Sequence, residues 1–167
     1  MTQGSPLGRY DDATPDALHE VRLLGLPVRI MVASREHHDE LMREFSLLAL
    51  SGPSERSDVP ARLVELTEIL GVRYASSAAR PEEEIDRAID SGADTVDLSY
   101  TVPAHVVEAA DTLAALMAEA DAFCRAEQLL TLERSPLQVE FAQWYLDEFR
   151  RQVAGEPARP WTGPLDP

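Results

Sequence analysis

The clearest hydrophobic pattern lies in residues 25–50. Val28, Ile30 and Val32 alternate as a half-buried strand does, which predicts a strand over 27–33. Ser34 suits an N-cap, and Leu41, Phe45 and Leu48 recur at helical spacing with charge between them, predicting a helix over 35–50. That reading puts His37 and His38 on the first turn of the helix. Upstream, 18–24 fits either a short helix or a first strand through Val21, Leu23 and Leu24.

Ser51–Ser57 reads as a loop, and a second helix is predicted from Val59 to Tyr74, with Pro60 in its first turn and Leu63, Leu66, Ile69 and Leu70 as its apolar stripe. A third helix opens at Pro81, with Glu82, Glu83 and Glu84 at the positive end of its dipole, and stops at Gly92. Thr95–Val102 alternates strictly: Val96, Leu98, Tyr100 and Val102 face one way, Thr95, Asp97, Ser99 and Thr101 the other, as in a strand with one wet face. Pro103 is expected to open a long helix to Ala126, with Val106, Ala110, Leu113, Met117, Ala120 and Cys124 inward and Val107, Leu116 and Phe123 broadening that face. Leu129–Leu132 fits a strand or a helix continuation. Ser135-Pro-Leu-Gln138 is a capping box with proline at the first helical position, and the last helix runs to Ala154, closed by Gly155.

These elements predict an α+β fold of two or three short strands with four to five helices packed mainly on one face. The expected organisation is a flexible segment over 1–17, a single α+β domain over 18–155 and a proline-rich extended tail over 156–167. There is no internal repeat and no heptad run.

Charge narrows the partners. The chain of 167 residues carries 30 acidic and 15 basic side chains, a net charge of −15, and it contains neither lysine nor asparagine. Nucleic acid and anionic membrane surfaces are not the expected partners, because both need a basic face. No apolar run reaches the roughly 20 residues a membrane span needs, no basic-then-apolar leader opens the chain, and the single Cys124 allows no internal disulfide, so a cytoplasmic setting is expected.

No catalytic or metal signature assembles. Adjacent His37 and His38 point about 100° apart on a helix and cannot converge on one ion; the His-Glu-x-x-His spacing is missing, as are a Gly-x-Ser-x-Gly elbow and any glycine-rich phosphate loop. No catalytic residue, metal or cofactor is therefore expected. The last helix holds Leu137, Phe141, Trp144, Tyr145 and Phe149 beside Arg150 and Arg151, and aromatics next to arginine serve both as core and as interface anchors. Trp161 is placed to pack back over Trp144.

The order strand, helix, loop, helix around Leu26–Tyr74, with the Leu26-Pro27 entry and Ala33-Ser-Arg-Glu36, resembles the opening of the anti-sigma-factor kinases of the histidine-kinase ATPase fold. The run Phe141-x-x-Trp-Tyr-Leu-x-Glu-Phe-x-Arg-Gln152 with Pro-x-x-Pro-Trp161 is similar to actinobacterial proteins encoded beside partner-switching regulators. The kinases hold magnesium with an asparagine in the second helix and nucleotide with an Asp-x-Gly-x-Gly loop. This chain has neither, so the resemblance implies a relative without ATP binding.

The expected function is a non-enzymatic regulatory or protein-interaction module in cytoplasmic signalling, linked to sigma-factor partner switching. It would bind a protein partner, or a second copy as a homodimer, through Trp144, Phe149 and Arg150. One alternative is a sensor domain with a small-ligand pocket lined by His38, Tyr74, Tyr100 and Phe123; another is an enzyme using His37 or His38 as a base beside Glu36 or Glu40.

Overall fold

The computed structural model describes residues 17–50 and 81–167, with backbone alone for 48–50. The strand β1 (Leu18–Pro27) runs into helix α1 (Val28–Leu50); helix α2 (81–91) leads to strand β2 (Thr95–Pro103), then to α3 (Val106–Arg125) and α4 (Pro136–Val153). The two strands pair antiparallel, from Leu18 opposite Pro103 to Pro27 opposite Thr95. Val21, Leu23, Leu98 and Val102 are buried on one face, while Arg22, Asp97, Ser99 and Thr101 are exposed on the other. Among the described residues, four helices and a two-stranded antiparallel sheet make the α+β fold that the periodicities predict. The expected loop over 51–57, the helix over 59–74 and the flexible segment before residue 17 lie outside the described residues.

The first strand is displaced from its expected position. Residues 18–27, one of whose two open readings was a strand, form β1, and Val28 already begins α1, so the strand expected over 27–33 is helical. Val28, Met31 and Val32 also stand at helical spacing, and with Ile30 they make the first turns apolar nearly all round. Such a short run fits either period, and long-range pairing decides it. Here 18–27 pairs with β2 and turns Val21, Leu23 and Leu26 inward. Pro27 ends the strand, and the Val28 N–H, one of the orphans of a helix start, donates to the Asp94 carbonyl at 3.0 Å. Ser34 therefore sits inside the helix and caps nothing, and His37 and His38 lie in its third turn.

Between Leu23 and Leu26 the register shifts, so Leu24 and Gly25 oppose the single Asp97. Gly25 has φ +64°, where a Cβ is strained, and its N–H donates to Asp97 Oδ1 at 2.6 Å. The bulge frees the Leu24 carbonyl to accept from the Trp161 N–H at 2.9 Å. The C-terminal segment expected as an extended tail is thus folded onto the domain. Trp161 is buried at 9 % exposure against Phe141 and Trp144, and Arg29 pairs with Asp166 at 2.5 Å. Gly163 permits this, since a Cβ there would run into the Trp161 indole.

Pro103 is likewise the last residue of β2 and not the first of a helix; α3 starts after the turn at Ala104 and His105. The local signals elsewhere hold. Ser135 Oγ accepts from Gln138 N while Gln138 Oε1 accepts from Ser135 N, and Gly92 and Gly155 have positive φ after their helices. Residues 129–132 are irregular and join no strand or helix; the Glu44 carboxylate holds them through the N–H groups of Leu130 and Thr131 and the Thr131 hydroxyl.

Two apolar clusters result. The larger joins both strands, the start of α1, Ile85 of α2, and Phe141, Phe149 and Trp161; the smaller joins Leu41 and Phe45 of α1 to Leu116, Ala120 and Cys124 of α3 and to Leu129. Between them the helices leave a hollow.

Candidate functional site

On α1, Met31, Ser34, Arg35 and His38 stand three or four residues apart and share one face. Leu113 and Met117 do the same on α3, and Gln138, Phe141, Ala142 and Tyr145 on α4. These faces meet Glu82 and Ile85 of α2 and Tyr100 of β2 around a cavity of ≈ 390 Å³, in the lower part of the usual range for small-molecule sites. The Gln138 amide, which accepts from Ser135 N, donates to the Ala33 carbonyl at 3.2 Å and ties α4 to α1 beside the hollow.

One polar feature of the cavity is a pair of phenols. Tyr145 and Tyr100 hydroxyls lie 3.0 Å apart, their rings edge-on at 6.5 Å, with Phe149 against both. Burial raises both phenol pKa values, Tyr145 well above the ordinary range, so both hydroxyls stay protonated. Two hydroxyl protons serve one bond. Whichever tyrosine accepts keeps a proton with no acceptor among the described residues.

Arg134 forms the wall towards a second, adjoining hollow of ≈ 260 Å³. Its Nε and Nη2 donate to the Asp121 carboxylate, Nη2 at 2.6 Å, and its backbone N–H joins them at 3.2 Å. The two side chains are only 7 % and 11 % exposed. The remaining terminal nitrogen, Nη1, meets the Met117 sulfur at 3.8 Å, a weak acceptor.

Outside the cavity lining lies His37, within electrostatic reach of this pair, its Nε2 buried without a partner among the described residues. Burial lowers its pKa; Asp121 acts against that, while Arg134 adds to it. The fold thus favours the neutral imidazole. Its contribution to stability is full above the ordinary histidine pKa, about 6.5, and is lost as pH falls through the lowered folded value. The urea midpoint should drop between pH 7 and 5, and His37→Gln should flatten that slope; an unaltered slope would contradict the assignment.

The residues expected at functional sites separate. His38 and Tyr100 both line the cavity. Phe123 packs instead against the smaller cluster, and Tyr74 lies outside the described residues. Trp144 is half-buried, its indole N–H donating to the Arg159 carbonyl at 3.2 Å and its ring 5.4 Å from Trp161. Phe149 is core, 6 % exposed. Arg150 bridges α3 and α4, donating to Asp111 at 2.7 Å and to Asp147 at 2.6 Å. All three expected anchors are engaged within the chain. Of the other cavity residues, the sequence suggests a cap for Ser34 and a core or anchor role for Tyr145, and it gives no signal for Arg35 or Arg134. Buried Cys124 has its thiol pKa pushed up by desolvation, as an inert structural thiol does. No three His, Cys, Asp or Glu side chains gather around a metal position among the described residues, and no helix there is long and apolar enough to cross a membrane.

Fold and cavity together define an α+β domain with an amphipathic hollow between its helices and a two-stranded sheet. No family model, curated protein or solved structure matches the chain.

Proposed function

We propose that this chain is a non-enzymatic regulatory domain of the cytoplasm that binds a small ligand in the cavity between α1, α3, α4 and β2. The observation that supports this best is the cavity itself: Met31, Ile85, Leu113, Met117 and Phe141 supply apolar wall, and the tyrosine pair, Ser34 and Arg35 supply a few polar groups. A ligand bound only by the folded state raises its stability, by about 2.7 kcal/mol at a hundredfold excess over Kd. A thermal-shift screen of small organic compounds should find such ligands. Ala142→Phe, which fills the hollow from its half-exposed rim, should abolish the shift while leaving the unliganded melting temperature close to that of the parent. Hits that shift parent and variant alike, or no hits, would defeat the reading.

A second reading, recruitment of a protein partner in a partner-switching circuit, is supported by the irregular segment between α3 and α4. There Leu130 and Leu132 are 94 % and 81 % exposed on a segment that Glu44 holds in place. Leu130→Ser with Leu132→Ser should weaken co-purification of such a partner without lowering stability.

A further inference from the structure

Resting on the ligand-binding reading above, we infer that the cavity takes a small amphipathic carboxylate, its hydrocarbon body among Met31, Ile85, Leu113, Met117 and Phe141 and its carboxylate facing Arg35 and the tyrosine hydroxyl pair.

The polar groups of the cavity set the chemistry of its ligand. Arg35 lines the cavity with five N–H groups, and no ion pair or hydrogen bond engages them among the described residues. Arg35, Tyr100 and Tyr145 line the same cavity. The tyrosine pair has one proton to spare. Ser34 Oγ is buried without a partner, although a serine inside a helix commonly returns its proton to the carbonyl four residues back. Arg134 offers Nη1, met only by sulfur. On the acceptor side, the Gln138 carbonyl already takes the Ser135 N–H, and Asp39 and Glu82 are exposed at the rim, as Arg35 is. The interior hydroxyls can give or take a hydrogen bond, but Arg134 Nη1 can only give one and Arg35 adds a cation at the rim, so the complementary ligand brings acceptors. A carboxylate brings two oxygens and matches a guanidinium in both geometry and charge. The apolar wall requires the rest of the ligand to be hydrocarbon.

The net charge of −15 and the two rim carboxylates favour the opposite choice, an ammonium. That field is long-ranged and screened over about 8 Å at physiological salt. An ammonium would also stand beside the Arg35 cation and leave the spare phenol proton without an acceptor. Contact chemistry within the cavity therefore prevails over the overall charge.

The test uses three probes of similar aromatic body on the full chain at neutral pH: phenylacetate, phenylacetamide and phenethylamine, read by calorimetry and by amide chemical shifts of cavity residues. Phenylacetate should bind about tenfold tighter than phenylacetamide, the worth of one charge-assisted hydrogen bond. Arg35→Gln, at an exposed position, should erase that margin and leave phenylacetamide unchanged; Tyr100→Phe should reduce it in part. If phenethylamine binds tightest, or acid and amide bind equally and Arg35→Gln changes neither, the carboxylate assignment falls while the ligand-binding reading stands. If none of the three perturbs the cavity resonances, both fall.

Discussion

Asp121→Ala should lower the stability of the fold by about 3–5 kcal/mol, the usual result of stripping one partner from a buried ion pair. Arg134 enters the wall of the cavity only because Asp121 neutralises it there. Three side-chain and backbone nitrogens of Arg134 converge on that carboxylate, and both side chains are nearly sealed from water. Without the carboxylate the guanidinium keeps only the Met117 sulfur, a weak acceptor, among the described residues. It must then swing out, taking the segment before α4 with it, or remain buried and uncompensated. The double variant Asp121→Leu with Arg134→Met removes both charges and should recover most of the loss, since a buried pair contributes little net stability over an apolar replacement. Urea unfolding of the three variants measures this. A single-variant loss below about 1 kcal/mol, the range of exposed pairs, would mean that water reaches the pair.

The parts of this fold that were legible in the sequence are those decided locally. The capping box at Ser135, the glycines that end helices at 92 and 155, and the wet-faced alternation of 95–102 are each settled by a few neighbouring residues. The first strand was not, because 18–24 and 27–33 both carry patterns a strand can use, and the choice rests with β2, far along the chain. That displacement carried into the site. With the helix starting at 35, Ser34 reads as a cap and Arg35 as a first-turn charge. With α1 starting at Val28, both fall on the cavity face with Met31 and His38. Arg134 was hidden for another reason: it lies on irregular chain, and only the fold brings Asp121 to it. Phe123 fell on the broad apolar face predicted for α3, but it is six residues beyond Met117, about 240° around the helix, and so meets the smaller cluster instead.

Glu148→Ala should cost about 1–3 kcal/mol, the penalty for buried donors left without their acceptor, and it should release the C-terminal segment. The Glu148 side chain is 2 % exposed and accepts three hydrogen bonds: from Arg151 Nη1 at 2.6 Å, from Gln152 Nε2 at 2.9 Å and from the Arg159 backbone N–H at 2.9 Å. Each donor continues into another element. Gln152 takes both the N–H and the carbonyl of Arg22, standing in for a neighbouring strand on the outer edge of β1. Arg151 reaches Glu156 and the Pro157 carbonyl, and Arg159 precedes Trp161, whose N–H closes on Leu24. One carboxylate therefore fastens the last helix, the sheet edge and the returning chain together. Glu148→Gln should be nearly as damaging, because an amide presents two N–H groups where the surroundings already offer donors. The readout is direct: Trp144 and Trp161 are the only tryptophans, and they lie against each other under this fastening. Both variants should shift tryptophan emission to the red and expose residues beyond 155 to proteolysis at temperatures where the helices persist. Native emission together with an unchanged melting temperature would show that the aromatic packing of Trp161 on Phe141 holds the segment without the carboxylate.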